Sequence, residues 1–178
     1  MIKVLSLGGS IVAPEQPDPD FLIAFTQLVR KWLAEDASRK LILVVGGGGP
    51  ARAYQAAYKT VSPNVNSDDA DWIGIMATRL NAQLLKAIFN DICPSDVVYD
   101  PTKVDVFAGK ILVAAGWKPG FSTDNDAVYL AERFNADCVI NLSNIAKVYT
   151  DDPKLNPKAK PIDTINWTEF RKIVGDEW

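Results

Sequence analysis

Three glycine-rich segments carry the residue types that handle phosphate. They are Leu7-Gly8-Gly9-Ser10, then Val45-Gly46-Gly47-Gly48-Gly49-Pro50-Ala51-Arg52, and Gly116-Trp117-Lys118-Pro119-Gly120-Phe121-Ser122-Thr123-Asp124. Glycine lets a backbone approach a ligand closely and present its N–H groups, as phosphate binding requires. Taken alone, Leu7-Gly8-Gly9-Ser10 is explained as well by a tight turn. The four-glycine run is harder to explain that way, because ordering it costs conformational entropy. Arg52 follows it at the start of a helical segment, placed to reach an anion held at that helix's N-terminus. Three such loops in one small chain suggest several phosphates held at once, which points to phosphoryl transfer.

Other chemistries are excluded by what is missing. There is no histidine, which removes a Ser-His-Asp triad, a Cys-His dyad and histidine-rich metal sites. No segment fits G-x-x-x-x-G-K-[ST], nor G-x-G-x-x-G in a dinucleotide context. Cys93 and Cys138 stand far apart, each beside apolar residues, and read as reduced structural thiols. Carboxylates, hydroxyls and backbone amides remain. Ser122-Thr123-Asp124-Asn125-Asp126 gathers hydroxyls and carboxylates at a helix start. Capping explains one or two of them, and the group is also equipped to bind a sugar or base. Asp71 lies near a helix N-terminus, where the macrodipole alone favours a carboxylate. Arg79, on the same helix, is expected on a solvated face. Tyr149-Thr150-Asp151-Asp152-Pro153 is a turn by composition, with Tyr149 available to stack on a base.

The elements that must position these residues alternate. Residues 2–7 are a short apolar run ending in glycines, suited to a buried strand, and residues 41–45 are apolar without alternation, as in a parallel strand covered on both faces. Residues 111–115 are another continuous apolar strand, 138–142 read as the next strand, and Val97-Val98-Tyr99 as a short one. Asp18 or Asp20 caps a helix carrying Phe21, Phe25, Leu28, Val29 and Trp32 at helical spacing. Further helices are expected over 51–58, 69–89, 124–134 and 167–174. In the long one, Ile73, Met76, Ala77, Leu80, Leu84, Leu85 and Ile88 make the apolar stripe. Strand–helix alternation predicts an α/β fold with a mainly parallel sheet, and the glycine loops follow the carboxyl ends of strands, where such sheets bind ligands.

The bulk properties agree. At 178 residues, 48% hydrophobic and 23% charged, the chain has the size and composition of one soluble domain. Its net charge of −3 and pI near 5.0 argue against a nucleic-acid partner. Met1 leads straight into a strand, and no apolar stretch reaches the ~20 residues that span a bilayer. The expectation is a cytoplasmic protein with no membrane partner.

Together the segments resemble the amino-acid-kinase family, in its archaeal-type uridylate kinase branch. The matching residues are Gly8-Gly9-Ser10, Gly46-Gly47-Gly48 with Ala51-Arg52, and Asp71-Trp72-Ile73-Gly74-Ile75 running into Thr78-Arg79-Leu80-Asn81-Ala82. Pro119-Gly120 with Ser122-Thr123-Asp124 follows, then Val148-Tyr149-Thr150 with Asp152-Pro153-Lys154. The resemblance covers nearly the whole chain. It implies a three-layer α/β/α sandwich over residues 1–178, transfer of the ATP γ-phosphoryl to UMP, ATP and Mg²⁺ as cofactors, and a homo-oligomer, dimer or hexamer. Carried over by residue, Gly8, Gly9, Ser10, Gly48 and Arg52 would contact ATP, and Ser143, Tyr149 and Asp152 would line its adenosine pocket. Gly47 would contact UMP and Asp71 hold its ribose. The stretch with Gly116, Pro119, Gly120, Phe121, Ser122 and Thr123 would surround UMP. Asp124 would organise the groups around the transferred phosphoryl, and no protein metal ligand is assigned.

Three departures accompany the resemblance. Many family members carry Lys where this chain has Ser6, and strand alternation puts Lys3 on the opposite face. Ile145-Ala146-Lys147 stands in place of Val-Asp-Gly. The family also continues beyond residue 178 with a further strand and helix, so a C-terminally shortened chain is expected. Two alternatives stay open: a related phosphotransferase acting on a carboxylate or carbamate, and a non-catalytic nucleotide- or oxyanion-binding protein. Asp71 within Asp-Trp-Ile-Gly favours a nucleoside acceptor.

Overall fold

The expected strand segments pair with one another. In a computed structural model, which describes residues 1–153 and 155–175, they form a parallel four-stranded sheet. Its strands are β1 (Ile2–Leu7), β2 (Lys40–Val45), β3 (Ile111–Ala114) and β4 (Cys138–Leu142), in the order β3-β2-β1-β4. Lys154, the last residue of one motif, and residues 176–178 lie outside the described residues.

Side chains of the sheet alternate between two cores. Leu41, Leu43 and Val45 face one way and meet Leu22, Phe25 and Val29 of α2 (Pro19–Ala34) with Ala82 and Leu85 of α4 (Ser67–Ile88). Val4, Ile42 and Val44 face the other way and meet Ala127 and Leu130 of α5 (Thr123–Arg133). Each fully buried aliphatic contributes about 1.5–3 kcal/mol relative to exposure. The result is helix, sheet, helix: the expected sandwich. Two further helices start at the glycine loops, the single turn α1 (Gly9–Val12) and α3 (Gly48–Val61). Helix starts are fixed by side-chain caps. Asp18 accepts from the Phe21 N–H at 3.0 Å, Asn66 from Asp68 and Asp69 at 2.8 and 3.2 Å, and Ser122 from Asn125 at 3.2 Å.

The described chain forms two compact units, Met1–Asn144 and Ile145–Trp178. In the second, β5 (Val148–Tyr149) pairs antiparallel with β6 (Pro161–Ile162), and α6 (Trp167–Val174) is capped by Asn166. Among the described residues no helix is long and apolar enough to cross a membrane.

Several expectations need correction. The buried face of α4 carries Ala70, Ile75, Thr78, Asn81, Ala82 and Leu85, whereas Met76 and Leu80 are 58% and 69% exposed. Leu84, Leu85 and Ile88 of the expected stripe do meet the core, but earlier in the helix the buried face turns to Ile75, Thr78 and Asn81, where two positions are polar. Leu28 of α2 is also exposed. Cys93 is buried as expected but Cys138, on the edge strand β4, is exposed; both are free thiols. α3 begins inside the glycine run at Gly48 rather than at Ala51. Val97-Val98-Tyr99 makes a single bridge, Val98 to Ala114, and no strand.

Candidate active site

Parallel pairing brings the carboxyl ends of all four strands to one edge. Leu7 lies opposite Val45 and Leu142, and Val44 opposite Ala114. The loops leaving them therefore stand side by side in strand order: residues after β4, the first glycine loop, the second, and the third.

Backbone contact joins the first two loops. A Cβ on Gly9 would lie 2.7 Å from the carbonyl carbons of both Gly46 and Gly47, and one on Gly46 would lie 2.5 Å from Gly9 N. Gly48 adopts φ +66°, which starts α3 under this contact. On its other side the first loop meets the exit of β4: Gly8 N–H donates to Leu142 O at 2.8 Å, and a Cβ on Gly8 would lie 3.6 Å from Ser143 Cα. The polar residues on the buried face of α4 complete the frame. Asn81 Nδ2 donates to the carbonyls of Gly46 and Gly47 at 2.9 and 3.1 Å.

The third loop closes a cavity of about 430 Å³, within the range of small-molecule sites. One wall is Gly47, Ala51 and Gln55; a second is Asp71, Gly74, Ile75 and Thr78 of α4. The third loop supplies Gly116, Lys118, Gly120, Phe121, Ser122 and Thr123. Four side chains anchor that loop. Thr78 Oγ1 accepts the Gly116 N–H at 2.8 Å, and Asp126 accepts the Trp117 N–H at 3.2 Å. Arg79 donates to Trp117 O at 3.3 Å, and Asp71 accepts the Gly120 N–H at 3.0 Å. Gly120, at φ +79° with open space around it, is the third residue of the turn that the Phe121 N–H closes onto Lys118 O at 3.3 Å.

Arg79 is not on a solvated face. It is half-buried, with its guanidinium 4.5 Å from the Tyr99 ring and 5.6 Å from that of Trp72, and its Nε has no hydrogen-bond partner among the described residues. Aromatic faces stabilise the cation there in place of water.

Asp124 enters from the opposite helix layer. Ser6 and Asn141 are register partners on β1 and β4, so their side chains leave the same face. The Ser6 hydroxyl and Asn141 Nδ2, the latter at 3.0 Å, both donate to Asp124 Oδ1. Both donors are neutral, and Ser6 is only 2% exposed. Lys3 points to the α2 side, with its ammonium 5.6 Å from the Trp32 ring centre. Two residues further along α5, Asp126 is buried, and the loss of water pushes its carboxyl up to about 6 despite the opposing pull of the Trp117 N–H.

The structure thus gathers Gly8, Gly9, Ser10, Gly47, Gly48 and Ser143 along the sheet edge, with Asp71 and residues 116–123 around the cavity. Pro119 belongs to this loop without lining the cavity. Arg52 is exposed on α3 and donates to Pro14 O at 3.0 Å. Tyr149 and Asp152 belong to the second unit. There Tyr149 pairs with Pro161 in the β5–β6 ladder, and the N–H of Asp152 bonds the Asp151 carboxylate at 2.8 Å. Lys147 forms an ion pair with Asp163. Sequence reasoning missed Thr78, Asn81, Asn141 and Gln55; polar residues inside an apolar helix face or strand were the available signal. A hollow of about 390 Å³ beside Trp167, Thr168, Arg171 and Lys172 is confined to α6 and has no glycine loop.

Comparison with known proteins gives a consistent picture. The model of the amino acid kinase family matches residues 1–178. A uridylate kinase from Thermococcus onnurineus is 40% identical over 173 residues, which are 96% of this chain and 75% of the relative. One from Methanospirillum hungatei is 39% identical over 175 residues, 96% of this chain and 71% of the relative. The crystal structure of uridylate kinase from Archaeoglobus fulgidus superposes with a TM-score of 0.84 at 31% identity, covering 99% of this chain and 79% of that one.

Proposed function

The chain belongs to the amino acid kinase family, and we propose that it is a uridylate kinase, transferring the γ-phosphoryl group of ATP to UMP to give UDP. The observation that carries this reading is the strand order. It sets the first glycine loop and Ser143 on one side of the second loop, and a nucleotide-sized cavity on the other. Donor and acceptor phosphates would then meet over the second loop, in line.

In this reading Gly8, Gly9, Ser10, Gly48 and Arg52 hold the donor phosphates, and Ser143 serves adenosine. Both units are read as parts of one kinase domain. Gly47 and the loop bearing Gly116, Pro119, Gly120, Phe121, Ser122 and Thr123 hold UMP. Asp71, whose Oδ2 already takes the Gly120 N–H, has its second oxygen for a ribose hydroxyl. No covalent intermediate is needed: the acceptor phosphate oxygen attacks, and fixed amides and cations offset the charge on the transferring group. Asp124 is held by two neutral donors, Ser6 and Asn141, rather than by a cation. Mg²⁺, bound with ATP, would neutralise phosphate charge. Asp124 orients the groups around the transferred phosphoryl. The reading also takes the chain as a cytoplasmic homo-oligomer.

The test is a coupled ADP-release assay across nucleoside monophosphates and small carboxylates. UMP is the expected best acceptor, and Asp71→Asn should raise KM for UMP roughly tenfold, the worth of one hydrogen bond to a charged group, with KM for ATP unchanged. A carboxylate or a purine nucleotide phosphorylated faster than UMP would overturn the assignment.

A further inference from the structure

Asp126 is a buried carboxylate with one oxygen unpartnered among the described residues, and it lines no part of the cavity. It is 1% exposed, its Oδ1 has no hydrogen-bond partner among the described residues, and its Oδ2 has one, the N–H of Trp117 at 3.2 Å. A buried carboxylate is retained against a desolvation cost of several kcal/mol. Nothing in the packing of α5 requires it, since the neighbouring buried positions of that helix are Ala127 and Leu130. A short aliphatic residue would fill the same place.

Its one partner locates its role. Trp117 stands between Gly116, whose N–H is fixed by Thr78, and Lys118, which lines the cavity. The Trp117 carbonyl is held by Arg79 on the opposite side of its residue. Asp126 and Arg79 therefore grip the two polar backbone groups of one residue, one from α5 and one from α4. The Trp117 ring, packed against Phe121 and Tyr129 at centroid distances of 4.9 and 5.9 Å, carries that constraint along the loop. We propose that Asp126 is a positioning residue for the acceptor: through the Trp117 N–H it fixes the backbone of residues 116–121 in the conformation that receives the nucleoside monophosphate. A carboxylate makes a stronger acceptor for a backbone N–H than a neutral group does, which accounts for an ionisable residue in a buried place.

The proposal rests on the acceptor assignment made above, and its test separates the two. Asp126→Ala removes the acceptor; Asp126→Asn keeps a carbonyl oxygen for the Trp117 N–H. In the chain without nucleotide, amide hydrogen exchange over residues 116–121 should quicken about tenfold or more in Asp126→Ala, as loss of a hydrogen bond to a charged group implies. Exchange in β1 and β2 should stay as it was. With substrates, KM for UMP should rise about tenfold in the same variant while KM for ATP stays within about twofold, and Asp126→Asn, which keeps a neutral acceptor in place, should recover part of both effects. Unchanged loop exchange in Asp126→Ala, or KM for ATP rising in step with KM for UMP, overturns the positioning role. A wild-type chain that neither binds nor phosphorylates UMP, yet whose loop loosens in Asp126→Ala, sinks the acceptor assignment and leaves the anchor standing.

Discussion

Replacing Asp126 by Asn removes a titration that the fold feels. Burial raises this carboxyl from its ordinary 3.8 to about 6, whereas in the unfolded chain it ionises at the ordinary value. Between the two, the folded chain keeps a proton that the unfolded chain has released. Stability from this group therefore falls as pH rises from about 4 to about 6 and is level above that. The gap of about two pH units, at 1.36 kcal/mol each, makes the loss ~3 kcal/mol. Asn does not titrate. Its amide leaves an unpartnered NH₂ where Oδ1 lies, a cost that is the same at every pH, so the diagnostic quantity is the change with pH. Urea unfolding at pH 4, 5, 6 and 7.5 should show the variant gaining about 3 kcal/mol on wild type across the series. For a chain of this size that is a relative rise of roughly 6–12 °C in melting temperature. Parallel stability curves for the two proteins would refute the reasoning, because Asp126 would then ionise in the folded chain as easily as in water.

Two further outcomes follow from contacts at the sheet edge. Gly9→Ala sets a methyl 2.7 Å from two backbone carbonyl carbons; neither can yield as a flexible side chain would, so a loss of about 3 kcal/mol or more is expected, read by urea unfolding. Ser6→Ala deletes one of the two neutral donors to Asp124 and should lower kcat about tenfold with KM for UMP nearly unchanged; a KM effect without a kcat effect would show that Ser6 serves binding instead.

The four sheet strands and the start of α2 were legible because each has a local cause. Leu41-Ile42-Leu43-Val44-Val45 has no polar residue to place on a solvated face, and Asp18 stands one residue before a proline that can open a helix. The glycine loops were legible as a group for the same reason. What they do individually was not. Gly9 and Gly46 read as ligand cradles, yet close backbone packing between β1 and β2 is sufficient reason for both. The α4 face failed on Thr78 and Asn81, whose polar side chains are buried because they bond loops 35 to 38 residues away in sequence; periodicity within one helix holds no record of such partners. Arg79 failed likewise: Trp72 is two turns back on the same helix, but the Tyr99 ring and the Trp117 carbonyl reach it only through tertiary structure. The convergence of Ser6 and Asn141 on Asp124 needed the β1–β4 register, which becomes visible only once the strands are paired.

The contact between Gly9 and Gly46 leaves no side-chain layer between the first two loops. A layer of side chains can rearrange rotamers to absorb a small displacement; two abutting backbones have no such slack. The distance between these loops is therefore a property of the β1–β2 spacing, about 4.8 Å between neighbouring strands, and stays fixed whichever ligand is bound. Adjustment to ligands of different size falls to the side chains that line the cavity, such as Gln55, Lys118 and Phe121, because the backbone of the third loop is held at Gly116, Trp117 and Gly120. The site works like a vice with rigid jaws and soft facings.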